Sequence, residues 1–171
     1  MLRLRGATSS VDDLTSGSFE PVIDDARITD KGAVTKVLLH AGKLHYDLAS
    51  ELQKNPDEKI ALVRIEQFYP LPIEELSAVT SSYPNAELVW VQDEPQNQGA
   101  WPFICTEIGS RLDGRAISVV SRPAAASPAA GSAKRHAVEQ SELIARALSG
   151  ASWGVTRKTG GAPSGVPPVF A

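Results

Sequence analysis

Four short apolar runs punctuate the middle of the chain: Val37-Leu38-Leu39, Ile60-Ala61-Leu62-Val63, Leu88-Val89-Trp90-Val91 and Ile117-Ser118-Val119-Val120. They lack polar alternation, which suits strands buried on both faces of a mostly parallel sheet. A loop and then a segment of helical spacing follows each run. Leu44, Leu48 and Leu52 fall four apart, on one helix face. Pro72 suits the first turn of a helix carrying Ile73, Leu76 and Val79. Ile104, Ile108 and Leu112 mark a third helix, and Ala137, Ile144 and Leu148 a fourth that begins after residue 133. Four such alternations predict a three-layer α/β domain over residues 34–149, with a mostly parallel sheet, flanking helices and right-handed crossovers. Residues 1–33 show no clear period and read as an extended connecting segment, lying on the domain or on something outside this chain. Residues 150–171 are rich in Gly, Pro, Ser and Thr, and are expected to be a disordered tail.

Composition narrows the class. The length of 171 residues suffices for one domain with a proper core. Hydrophobic residues at 42% and charged residues at 22% are ordinary for a globular protein. A net charge of -3 argues against a nucleic-acid partner. No stretch is apolar for long enough to span a membrane, and MLRLRGATSS has no apolar signal-peptide core. The expected compartment is the cytoplasm. The single cysteine, Cys105, excludes an internal disulfide and a cysteine zinc site. Its spacing with Ile104 and Ile108 predicts a buried core thiol.

In open α/β sheets ligands bind beyond the carboxyl ends of the strands. Polar residues collect there: His40-Ala41-Gly42-Lys43, Glu66-Gln67, Gln92-Asp93-Glu94 and Ser121-Arg122. Gly42 permits a tight turn, or the approach of an anion to a helix start; with no glycine-rich fingerprint around it, the turn is preferred. His40, His45 and His136 have no metal-binding spacing and read as hydrogen-bonding or interface residues. Asp93 and Glu94 have the chemistry of an acid/base pair. As loop neighbours they are expected to point apart, and no nucleophile accompanies them. Fixing loops, or pairing with an arginine across an interface, is the simpler role. The stretch Gly131-Ser132-Ala133-Lys134-Arg135-His136 opens the last helix. Cations are not favoured there by the helix dipole, so a partner carboxylate or phosphate and plain solvation stand as equal readings. Gly42, Ser132, Lys134 and Arg135 are the anion-binding candidates. No nucleophile–base–orienter set, metal cluster or cofactor loop is complete, so no residue is assigned a catalytic, cofactor-binding or metal role.

Several longer strings resemble one family. HAGKLHYDL (40–48), IALVRIEQFYPLP (60–72), WVQDEPQNQGAWPF (90–103) and SRPAAASPAAGSAKRHAVEQ (121–140) occur in the family's order, and residues 1–23 resemble its approach to the same domain. The family is the first, decarboxylating component of 2-oxoglutarate dehydrogenase, of actinobacterial flavour. The resemblance covers residues 1–148 and implies a C-terminal domain like that of transketolases. It implies packing against preceding thiamine-binding domains, a homodimer, and a dihydrolipoamide succinyltransferase partner in a multienzyme complex of the tricarboxylic acid cycle. Thiamine diphosphate and magnesium would be held by the other domains and none by this chain, which leads to the expectation of a truncated or split gene product, inactive alone. The same resemblance places Gln67 in an allosteric acetyl-coenzyme A site. Where that site would supply a lysine, a serine and two arginines, this sequence has Ser18, Pro21, Glu74 and Glu75. Two carboxylates repel a polyphosphate, so the regulation is expected to be absent. The alternative reading is a free-standing nucleotide- or phosphate-binding α/β module. The combination of EQFYPLP with EPQNQGAW argues against the equivalent domain of a transketolase or pyruvate dehydrogenase.

Overall fold

The computed structural model describes residues 4, 6–108, 111, 112 and 114–149; the expectation for residues 150–171 lies outside them. The elements are α1 (Val11–Thr15), β1 (Val22–Ile23), a 3-10 turn (Lys31–Ala33), β2 (Lys36–His40), α2 (Leu44–Lys54), β3 (Ile60–Ile65), α3 (Ile73–Ser81), β4 (Glu87–Pro95), α4 (Trp101–Glu107), β5 (Ile117–Arg122) and α5 (Ala133–Leu148). The sheet order is β1-β3-β2-β4-β5. Strands β2 to β5 run parallel and β1 is antiparallel to β3.

Alternate strand residues face opposite sides, and the register aligns them. Val37 sits opposite Ala61 and Leu88, and Leu38 opposite Leu62 and Val89. One face carries Val37, Leu39, Val63, Leu88 and Trp90 and packs with Leu76, Tyr83, Ile104, Ile108 and Leu112. The other carries Leu38, Leu62, Val89 and Val91 and packs with Leu44, Leu48, Leu52, Leu143 and Ala147. This is the expected three-layer α/β arrangement, with α3 and α4 on one side and α2 and α5 on the other. Among the described residues no helix is long and apolar enough to cross a membrane.

Several local expectations need correction. Cys105 is exposed: Ile104 and Ile108 take the core face of α4, and the neighbouring position turns about 100° away. Leu112 is buried but lies beyond the end of α4. Ile117–Val120 are only half-buried because β5 ends the sheet. In α5 the buried pair is Leu143 and Ala147, whereas Ala137 is exposed. Trp90 is core at 1% exposure.

The N-terminal arm holds regular structure. A reciprocal capping box between Ser10 and Asp13 closes the first turn of α1. Two residues of β1 pair with β3 at Ile65 and Arg64. Beyond them side chains replace the strand. The Asp25 carboxylate accepts the Leu62 N–H at 2.8 Å, and Arg27 donates to that carboxylate at 2.6 Å and to the Ile60 carbonyl at 3.3 Å. These two residues satisfy β3 edge groups that would otherwise be orphaned. At the opposite edge Arg146 donates to the Ser121 carbonyl at 2.8 Å. Arg115 donates to the carbonyls of Thr80, Tyr83 and Ala86, closing the end of α3. Lys36, 6% exposed, donates to the Ser149 carbonyl at the end of α5, where a cation also suits the helix dipole.

Candidate functional site

The carboxyl ends of β2, β3 and β4 meet in a crevice of about 600 Å³, lined by Gly42, Lys43, Glu66, Phe68, Gln92, Asp93, Glu94 and Ala100. Gly42 turns the chain from β2 into α2 at φ 63°, a left-handed conformation. A Cβ there would meet nothing within 4 Å, so the glycine serves the turn and is not required by a close neighbour.

The floor is organised by Gln92, which in the sequence stands out only as one of a polar group with Asp93 and Glu94. It is 3% exposed. Its Oε1 accepts Trp90 Nε1–H at 2.9 Å and the Trp101 N–H at 2.8 Å. Its Nε2 donates to the carbonyls of Pro95 at 2.9 Å and Gln98 at 2.7 Å. The start of α4 has no side-chain cap of its own, and Gln92 supplies the acceptor. Asn97 pairs both ways with the Ala125 backbone at 3.0 Å. Gly99 has φ 64°, and a Cβ would lie 3.0 Å from the Glu94 side chain. The unusual string from Trp90 to Trp101 therefore encodes the end of β4 and a hydrogen-bonded loop that leads into α4.

Asp93 and Glu94 form an acidic rim and belong to the end of β4, not to the loop that follows it. Partial burial, and then the adjacent Asp93 carboxylate, hold Glu94 above the usual carboxylate range. Asp93 faces Lys43, 3.5 Å away, and Lys43 also reaches Asp47 at 3.1 Å. Against its burial, these carboxylates raise the Lys43 pKa and keep it an ammonium. A protonated, doubly paired lysine is a poor nucleophile. The crevice thus has a carboxyl pair with no reacting partner.

The histidines take hydrogen-bonding roles. His40 is fully buried; its Nδ1 lies 2.9 Å from the Leu38 carbonyl and its Nε2 3.0 Å from His45 Nδ1. Burial drives its pKa down to about 4. Burial, then the charge of Arg64, lowers His45 as well. His136 Nδ1 sits 2.9 Å from Nη2 of Arg122, a 6%-exposed side chain whose Nε lies 3.6 Å from Glu139. Arg122 clamps β5 to α5.

The remaining candidates are not brought together. Gly131 and Arg135 line a separate cavity of about 510 Å³ with Arg122, Glu139 and Glu142. Arg135 is held by Glu139 at 2.6 Å, and Ser132 makes no capping bond. Ser132 and Lys134 are exposed and line neither cavity. The Gln67 side chain braces its own loop by donating to the Pro70 carbonyl at 2.6 Å. Ser18, Glu74 and Glu75 are exposed, and the Pro21 carbonyl accepts the N–H of Gln67. A groove of about 860 Å³ between α2 and α5 is lined by apolar side chains such as Leu52 and Ile144 and by polar ones that include Lys43, Asp47 and His136.

The described side chains do not fit magnesium or a diphosphate. No group of three or more His, Cys, Asp or Glu among them is placed to hold a metal ion. At the crevice Asp93 and Glu94 would oppose a diphosphate, and its one lysine, Lys43, is already paired with Asp47 and Asp93.

Comparison with known proteins supplies the context. The family model described as 2-oxoglutarate dehydrogenase C-terminal matches residues 8–148. The 2-oxoglutarate dehydrogenase E1 components of Staphylococcus aureus strains JH9 and Newman are 41% identical over 153 residues. That alignment takes in 86% of this chain and only 16% of those relatives' length. On the matching strings, the shared α/β layout and the extent of the family match, the chain belongs to the 2-oxoglutarate dehydrogenase C-terminal family.

Proposed function

We propose that this chain serves as the structural and dimerisation domain of a 2-oxoglutarate dehydrogenase E1 component and catalyses nothing alone. One observation carries the reading. At the carboxyl edge of the sheet, where such folds place their chemistry, the polar side chains hold each other and the backbone. Gln92 makes four close hydrogen bonds, and Lys43 is paired twice. In the full enzyme the reaction is the oxidative decarboxylation of 2-oxoglutarate and transfer of the succinyl group to a lipoyl arm of the dihydrolipoamide succinyltransferase. Thiamine diphosphate supplies the carbanion stabilisation there, held with magnesium by the other domains. The domain's part is to present a rigid face to them and to a second copy. Sedimentation velocity of the purified chain is expected to report a dimer, and calorimetry to report no heat with thiamine diphosphate and magnesium. Tight thiamine diphosphate binding by the 171 residues would overturn the assignment of cofactor binding elsewhere; a strictly monomeric chain would remove the dimerisation role.

The cavity lined by Gly131, Arg122 and Arg135 favours a second reading, a free-standing phosphate- or nucleotide-binding module. Glu139 engages both arginines, so no thermal stabilisation by ATP or inorganic phosphate is expected. A clear rise in Tm with either ligand would favour the module.

A further inference from the structure

The exposed apolar side chains of the described residues are concentrated. Val11, Leu14 and Phe19 are 74%, 77% and 67% exposed, and Tyr69 is 87% exposed. The first three lie on the N-terminal arm, where α1 buries none of its residues although its capping box holds it. The arm and the loop that carries Tyr69 share a corner. The Pro21 carbonyl accepts the N–H of Glu66 at 2.9 Å and of Gln67 at 3.3 Å. Phe19 precedes Pro21 by two residues, and Tyr69 follows Gln67 by two. Large aromatic side chains on constrained backbone lose little freedom when covered, and clusters of them in water mark interaction sites.

Charge decides what covers this corner. Residues 6–26 and 65–81 contain no lysine or arginine. Asp12, Asp13, Glu20, Glu74 and Glu75 are all exposed there. Hydrogen bonds from Ser10 hold the Asp13 carboxyl below its usual range, so it stays ionised. A two-fold pairing of this corner with itself would set these carboxylates against their own copies, which is repulsive. The occupant must bring apolar surface rimmed by cations. The family match begins at residue 8 and so includes the arm, while the chain accounts for only 16% of its relatives' length. The geometry points to this corner as the docking face for the remainder of the E1 component, anchored by Phe19 and Tyr69 and matched by a basic patch. This rests on the function proposed above.

The test replaces Phe19, Tyr69 or Val138 in the full chain with a photo-crosslinking benzoylphenylalanine, in cells of the source organism, and identifies linked peptides by mass spectrometry. Val138 is exposed on α5, away from the arm. Positions 19 and 69 are expected to link to E1 sequence outside residues 1–171, and position 138 is not. The double change Glu74→Lys with Glu75→Lys is expected to cut the yield at both positions about tenfold by removing charge complementarity. Links from 19 and 69 to a second copy, or no link from either, overturn the proposal. E1 peptides captured only at 138 would reject this face and leave the enzyme assignment standing. E1 peptides captured at none of the three positions would reject both.

Discussion

Replacing Asp25 by alanine removes the group that ends the β3 edge. The carboxylate is 5% exposed and accepts the buried Leu62 N–H, while Arg27 bridges from it to the Ile60 carbonyl. The alanine variant leaves Leu62 N–H without an acceptor, at a cost of about 1–3 kcal/mol. Loss of the ion pair adds less, because Arg27 is 39% exposed and solvent screens it; about 1 kcal/mol is a fair ceiling. The expected destabilisation is therefore about 1–4 kcal/mol. Asp25→Asn keeps an acceptor for Leu62 but turns an amide toward the guanidinium, and should fall between the two. Urea denaturation followed by far-UV circular dichroism gives the midpoint, with the slope expected to hold constant. Hydrogen exchange should show Leu62 losing protection first. A loss below about 0.5 kcal/mol for Asp25→Ala, the range of ordinary surface changes, would refute the edge-capping argument.

Gln92→Met should strand the buried Trp90 Nε1–H and the part-buried Trp101 N–H, costing about 2–4 kcal/mol together; tryptophan emission should shift red in the same variant, and an unchanged spectrum and midpoint would count against the role of Gln92. His40 gives a pH dependence of defined sign. Its folded pKa of about 4 lies below the ordinary histidine value of 6.5, so the unfolded chain binds the proton more readily. The stability this contributes is complete above pH 6.5 and drains away as pH falls toward 4, amounting to about 3 kcal/mol at roughly 1.4 kcal/mol per pH unit. His40→Leu should reduce the slope of the stability profile between pH 6.5 and 5, leaving the part that His45 contributes through its own lowered pKa; a slope unchanged by the substitution would exclude His40 as a source. Acetyl-coenzyme A should give no heat in calorimetry, since Glu74 and Glu75 put exposed carboxylates where its polyphosphate would need cations; binding that Gln67→Ala abolishes would contradict this.

The framework was legible because two periods carry it. Leu44, Leu48 and Leu52 all point inward, and the runs at Val37, Ile60 and Leu88 are buried strands, as uninterrupted apolar character implies. What escaped depends on partners distant in sequence. The β1 strand has two residues, too few to show alternation. The inner stripe of α5 runs through His136 and Gln140, polar residues drawn in by Arg122 and Asp47. That disguise shifted the expected face onto Ala137 and away from Leu143 and Ala147. At the crevice, Gly42 was readable as a turn from its place between strand and helix. Gln92 was not readable as an organiser, because two of its close partners are backbone carbonyls and a third is a backbone N–H, which no side-chain pattern reveals. Asp93 and Glu94 follow an apolar run and carry the polarity of a loop, yet β4 continues through them; partial burial, then the Asp93 charge, raises the Glu94 pKa.

The central claim is that this domain holds no reaction centre of its own. Release of carbon dioxide from 1-labelled 2-oxoglutarate by the purified chain, with thiamine diphosphate, magnesium and an artificial electron acceptor, tests it most directly. The account expects release no faster than in buffer at every protein concentration. Turnover that rises in proportion to the chain and disappears without thiamine diphosphate would contradict it.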